Sequence, residues 1–131
     1  MPRILIIEDN EENREALARR LQRRGYDIVV AGDGQQGVEM AKSEKPDLVL
    51  MDMNMPILDG WRASQMIRTD PDTEQLPIIG LTAHALEGDR EKALQAGCSD
   101  YHTKPVEFSQ LMTQIELLIR NGAHTSSLGS E

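Results

Sequence analysis

Cysteine is almost absent from this chain. Cys98 is the only one in 131 residues, which rules out an intramolecular disulfide and fits a reducing compartment. Aromatic residues are scarce at 3%, so any core must be aliphatic. Basic residues are outnumbered: 14 Lys and Arg against 22 Asp and Glu leave a formal charge of −8. That balance argues against a nucleic-acid surface, whose footprint is basic, and favours solubility. Long apolar runs are missing too. No stretch approaches the ~18 residues of a membrane span, and the run Ile4-Leu5-Ile6-Ile7 meets Glu8 and Asp9 too soon for a signal peptide. The length suits one domain, on a prior of about 100–200 residues each. Leu, Ile, Val and Phe supply 30 of the 131 residues, just above the roughly 20% below which highly charged chains stay disordered. The expectation is a small, acidic, cytoplasmic monomer with an aliphatic core.

Short β-type runs alternate with longer segments of helical period. Ile4–Ile7, Ile28–Val30, Leu48–Met51 and Ile78–Leu81 read as strands, with a weaker fifth at Asp100–Thr103. Near-continuous apolar strands indicate a parallel sheet covered on both faces. Between them lie helical stripes. Ala16, Leu17 and Leu21 stop at Gly25; Val38 and Ala41 end before Pro46; Met66 and Ile67 carry the third. Leu86, Ala93 and Leu94 stop at Gly97, and Leu111, Ile115, Leu118 and Ile119 make the last. Five strand–helix repeats give a doubly wound α/β fold, since an eight-unit barrel needs about 250 residues. Residues 1–121 form the domain, and the polar segment 122–131 is expected to be a flexible tail.

In an open parallel sheet, ligands bind beyond the carboxyl ends of the strands. Glu8 and Asp9 follow the first strand, Asp52 ends the third, Thr82 ends the fourth, and Lys104-Pro105 follows the fifth. Singly, each has an innocent reading as a helix-entry residue or a solvated surface group. Together they place three carboxylates, a hydroxyl and an ammonium at one cleft.

These residues, with the stretch Met51-Asp52-Met53-Asn54-Met55-Pro56-Ile57-Leu58-Asp59-Gly60 and with Leu81-Thr82-Ala83, resemble the response-regulator receiver domains of two-component signalling. The likeness runs in order from the first strand to about Arg120. It implies a flavodoxin-like five-stranded sheet of order 2-1-3-4-5. It also implies a phospho-switch that catalyses only its own phosphorylation and dephosphorylation. In such a domain Asp52 accepts a phosphoryl group from phosphohistidine. Asp9, Asp52 and the Asn54 main-chain carbonyl hold Mg²⁺, and Glu8 acts mainly through a coordinated water. Strands one and three are then neighbours, about 4.8 Å apart, and only a long cationic side chain such as Lys104 spans the two strands back to Asp52. Thr82 donates a hydroxyl hydrogen bond to the phosphoryl group. Tyr101 matches the aromatic switch position coupled to Thr82, and Pro105 matches a cis proline. Asn54 and His84 border the approach of water and so tune dephosphorylation. The implied partners are a histidine kinase or histidine phosphotransfer protein and a downstream protein target, without nucleic acid or membrane.

Two alternatives stay open at this point. A haloacid-dehalogenase-type phosphatase also uses an Asp nucleophile and Mg²⁺, but would want a second acid where Asn54 stands. A receiver module cut from a hybrid histidine kinase is the other; the Met1 start favours a free-standing protein. A flavin carrier is disfavoured by Glu8-Asp9-Asn10-Glu11-Glu12, which would repel a flavin phosphate, and the G-x-x-x-x-G-K-[ST] loop is absent. His84, His102 and His124 are too scattered for a metal cluster. Cys98, Trp61 and the seven methionines read as packing residues. Arg19, Arg20, Arg23 and Arg24 read as a solvated helix face near a C-terminus.

Overall fold

The computed structural model describes residues 2–55, 58–83 and 89–129, with 89–90 and 121–129 described by backbone alone. The chain order is β1 (Arg3–Ile7), α1 (Glu11–Arg23), β2 (Asp27–Ala31), α2 (Gly34–Ser43), β3 (Leu48–Asp52), α3 (Gly60–Thr69), β4 (Ile78–Thr82), α4 (Asp89–Gln95), β5 (Asp100–Thr103) and α5 (Phe108–Gly129). All four ladders are parallel, in the order β2-β1-β3-β4-β5. Every expected strand is present, each within a residue or so of its expected ends.

The apolar runs are continuous because both faces of the sheet are covered. Successive side chains alternate between two cores. Ile4, Ile6, Leu48 and Leu50 pack with Leu17, Leu21, Leu111 and Ile115 of α1 and α5. Leu5, Ile7, Val49 and Met51 pack with Ala41, Ala63, Ile67 and Ala93 of α2, α3 and α4. Cys98 is buried in this second core, and Trp61 packs against it.

Helix entries and exits follow local chemistry. The side chains of Asn10, Asp33 and Asp59 accept from the N–H groups of Asn13, Gln36 and Arg62 at 2.9, 2.7 and 2.9 Å, capping α1, α2 and α3. Gly25 and Gly97 take positive φ, +93° and +109°, as glycine does past a helix end.

Two expectations need correction. Ala16, Met66 and Leu94 belong to the apolar stripes by spacing, yet all three are exposed. Neighbours on a helix point about 100° apart, so Leu17, Ile67 and Ala93 take the inward directions. Leu86 lies outside the described residues. The arginine face is not simply solvated: the Arg20 guanidinium sits 4.1 Å from the Phe108 ring centroid and Arg24 5.6 Å, a cation–π contact joining α1 to α5. The α5 backbone is helical to Gly129.

Candidate functional site

The strand ends place the cluster. Asp52 is the last residue of β3 and Glu8 the first beyond β1; both are buried, at 3% and 4% exposure. Asp9 is exposed beside them. One carboxylate oxygen from each of Glu8, Asp9 and Asp52 lies within 4.8 Å of the others. Lys104, just beyond β5, reaches across: its Nζ lies 3.0 Å from Glu8 Oε1 and 3.5 Å from Asp52 Oδ1. The Lys104–Pro105 peptide is cis, as the resemblance implied.

The loop after β3 closes over Asp52. The Asn54 N–H donates to Asp52 Oδ1 at 3.0 Å. The Asn54 carboxamide oxygen accepts from the Thr82 hydroxyl at 3.4 Å and the Ala83 N–H at 3.3 Å, bridging the ends of β3 and β4. Gly60 makes the closure possible. A Cβ there would sit 2.5 Å from both the Asp52 carbonyl oxygen and the Met53 Cα, so only glycine lets α3 start this close.

Electrostatics follow from crowding two acids and one base out of water. Burial, then the hydrogen bond shared with Asp52, pushes the Glu8 carboxyl up to about 7, against the pull of Lys104. Burial would raise Asp52 as well. It is outweighed by the Glu8 hydrogen bond, the Asn54 N–H and Lys104, which hold Asp52 below the usual carboxylate range. Burial would lower Lys104, but Glu8 and Asp52 hold its ammonium above the ordinary lysine value. Asp52 is therefore anionic at neutral pH, and Glu8 is the acid of the pair that takes up a proton first as pH falls.

Of the expected site residues, Glu8, Asp9, Asp52, Asn54, Thr82 and Lys104 converge. Tyr101 lies on β5, half-buried against the α2–α3–α4 core, with its hydroxyl 3.3 Å from Thr103 Oγ1. His84 lies outside the described residues. Beside Glu8 and Lys104 opens a groove of about 460 Å³ between α1 and the β5–α5 loop, lined by Ala16, Leu17, Arg20, Leu81 and Val106 among others. The sequence reading missed this groove because loop positions set its width. It also missed His102, which is 4% exposed. The signal was its alternation with Tyr101, which turns it to the α5 side.

The model of the response regulator receiver domain family matches residues 4–116. The chain belongs to this family. As a receiver domain it is a phosphoacceptor switch that undergoes phosphorylation and dephosphorylation, and the phosphatase alternative falls away.

The receiver domain of sensor histidine kinase PA1611 from Pseudomonas aeruginosa PAO1 is similar at 40% identity and a TM-score of 0.83. The match covers 90% of this chain and 97% of that one, whose structure has a magnesium ion coordinated in the active site cleft. Hybrid signal transduction histidine kinase I of Dictyostelium discoideum is 37% identical over 96% of this receiver, which spans 8% of that protein. Polar-differentiation response regulator DivK of Brucella anthropi is 31% identical over 88% of this chain and 95% of its own length. Three of the curated relatives that it matches at 36–40% identity are much longer, the receiver spanning at most 55% of them. No helix among the described residues is long and apolar enough to cross a membrane.

Proposed function

We propose that Asp52 is the phosphoacceptor of a two-component or phosphorelay pathway, and that a protein phosphohistidine is the donor. The observation that carries this is the Asp52 carboxylate, held anionic and buried at a strand end within reach of one ammonium and two further acids. An Asp52 oxygen attacks the phosphorus, the phosphorus–nitrogen bond breaks, and the leaving imidazole keeps the electron pair and takes a proton. Such a transfer brings anions together, so charge compensation and positioning dominate its rate.

The three carboxylates fit a hard divalent cation, which takes oxygen donors. Asp9, Asp52 and the Asn54 main-chain carbonyl would hold Mg²⁺ directly, with Glu8 acting through water, and the ion would neutralise charge on the transferring phosphoryl group. Lys104 follows the charge from the Glu8–Asp52 pair to the phosphoryl oxygens. Thr82 exchanges its Asn54 contact for a phosphoryl oxygen, and Tyr101 moves into the space released. The partners are a histidine kinase or histidine phosphotransfer protein, then a protein target. The apolar groove beside Glu8 and Lys104 supports donor docking on α1.

The test is labelling with phosphoramidate and Mg²⁺. One acid-stable, base-labile phosphoryl group per chain is expected, suppressed by chelation and abolished in Asp52→Asn. Base-stable label on Ser or Thr would refute the assignment.

A further inference from the structure

A hydrogen-bond relay joins β5 to α5. The Nε2 atom of buried His102 lies 3.1 Å from the Glu107 amide nitrogen, and its Nδ1 lies 2.7 Å from Gln114 Oε1. A backbone N–H can only donate, so Nε2 is the acceptor. The proton of the neutral ring is then on Nδ1, donated to Gln114. Gln114 is oriented from its other end as well: its Nε2 lies 3.0 Å from Asp100 Oδ2 and 3.0 Å from the Tyr101 carbonyl oxygen, both acceptors. Every donor in the relay meets an acceptor.

The relay brackets Lys104. Glu107 is the residue before α5, and its carboxylate caps that helix by accepting from the Gln110 N–H at 2.7 Å, while its own N–H is held by His102. The Lys104 N–H donates to the Thr82 carbonyl oxygen at 2.6 Å. The Lys104–Pro105 turn therefore runs between two fixed points, the end of β4 and the start of α5.

We propose that His102 is a positioning residue for phosphoryl transfer: by tying the Glu107 amide and Gln114 to β5, its ring fixes the turn that aims the Lys104 ammonium at Asp52. An apolar side chain would fill the same space between β5 and α5, but would leave the Glu107 N–H and the Gln114 carboxamide without these partners and the turn without its second anchor. The inference rests on the reading that Lys104 serves the phosphoryl group.

The experiment compares His102→Leu, His102→Gln, Gln114→Met, Lys104→Ala and the double variant His102→Leu/Lys104→Ala. It reads the phosphorylation rate with phosphoramidate at saturating Mg²⁺, the Mg²⁺ Kd, and amide hydrogen exchange at Glu107. The rate should fall about tenfold in His102→Leu, with the Kd within about twofold and faster exchange at Glu107. Gln114→Met should fall in the same direction, and His102→Gln, whose carboxamide can accept from Glu107, should recover part of the rate. His102→Leu should cost nothing further in the Lys104→Ala background, because it acts through Lys104. A folded His102→Leu with the wild-type rate, or an equal additional loss without Lys104, overturns the proposal. If His102→Leu does not fold, a wild-type rate in Gln114→Met overturns it instead. A wild-type rate in Lys104→Ala refutes the reading of Lys104, a separate failure.

Discussion

The Lys104 ammonium lies 3.0 Å from the Glu8 carboxylate, the shortest of its two ion pairs, although the residues are 96 positions apart. The lysine thus rests on the acid expected to act at one remove from the metal. Removing it leaves two buried carboxylates facing each other. Lys104→Ala should destabilise the metal-free domain by about 1–3 kcal/mol at pH 8, less at pH 6, where Glu8 holds a proton. Urea unfolding at the two pH values measures the difference; equal losses would contradict it.

Glu8 also sets a pH dependence of stability. Its carboxyl titrates at about 7 in the folded domain, against ~4.3 in an unfolded chain. The folded state binds this proton more tightly. The stabilisation is complete below the unfolded value and is lost as pH rises through 7. Asp52 works oppositely, its contribution being lost only as pH falls through its lowered value. Metal-free stability should therefore decline between pH 5 and 8, by roughly 2–3 kcal/mol, and Glu8→Gln should flatten the slope. Denaturant midpoints across this range test it.

A coordinated water donating to Glu8 favours its carboxylate, so Mg²⁺ binding should release the same proton. Affinity for Mg²⁺ should be level above pH 7 and drop by up to about tenfold per pH unit below it. Calorimetry in buffers of different ionisation enthalpy should show a proton released at pH 6.5 and hardly any at pH 8. Identical proton release at both would remove Glu8 as its source.

Gly60 should tolerate no Cβ, since the two nearest atoms that it would strike are backbone. Gly60→Ala should cost about 1–3 kcal/mol and slow phosphorylation by displacing Asp52. A thermal midpoint within a degree of wild type would show that the β3–α3 turn relaxes freely.

The layers of the fold were legible because short aliphatic runs such as Ile4–Ile7 and Leu48–Met51, too short for helices and alternating with helical stripes, suit strands of a sheet covered on both faces. The strand order was not. Periodicity gives alternation, and the 2-1-3-4-5 order came from the resemblance carried by Asp52, Thr82 and Lys104. Asn54 was legible as a site residue, but the contacts of its carboxamide with Thr82 and Ala83 depend on loop rotamers. His102 was passed over because a lone histidine acquires meaning only once Gln114 and Glu107, on another element, are seen to face it.

Signal lifetime is where those Asn54 contacts matter. Asn54→Met removes both hydrogen bonds to the end of β4 as well as a group able to orient water, so the phosphorylated half-life should lengthen severalfold. His84→Ala should change it too. If neither substitution moves the half-life while Mg²⁺ affinity is unchanged, neither residue controls the timer.

Coupling to the surface is expected through Tyr101. In Tyr101→Ala, phosphorylation should proceed normally and still shift the amides around Thr82, whereas the accompanying shifts in α5 should shrink. Full-size α5 shifts in the variant would rule out Tyr101 as the link.

Reductive trapping decides whether Asp52 accepts the phosphoryl group. Phosphorylated protein is treated with borohydride, which reduces an aspartyl phosphate to homoserine, and the peptide spanning residue 52 is sequenced by mass spectrometry. Homoserine is expected at position 52, dependent on phosphodonor and Mg²⁺. Homoserine at Asp9 or another aspartate, with Asp52 intact, would contradict it.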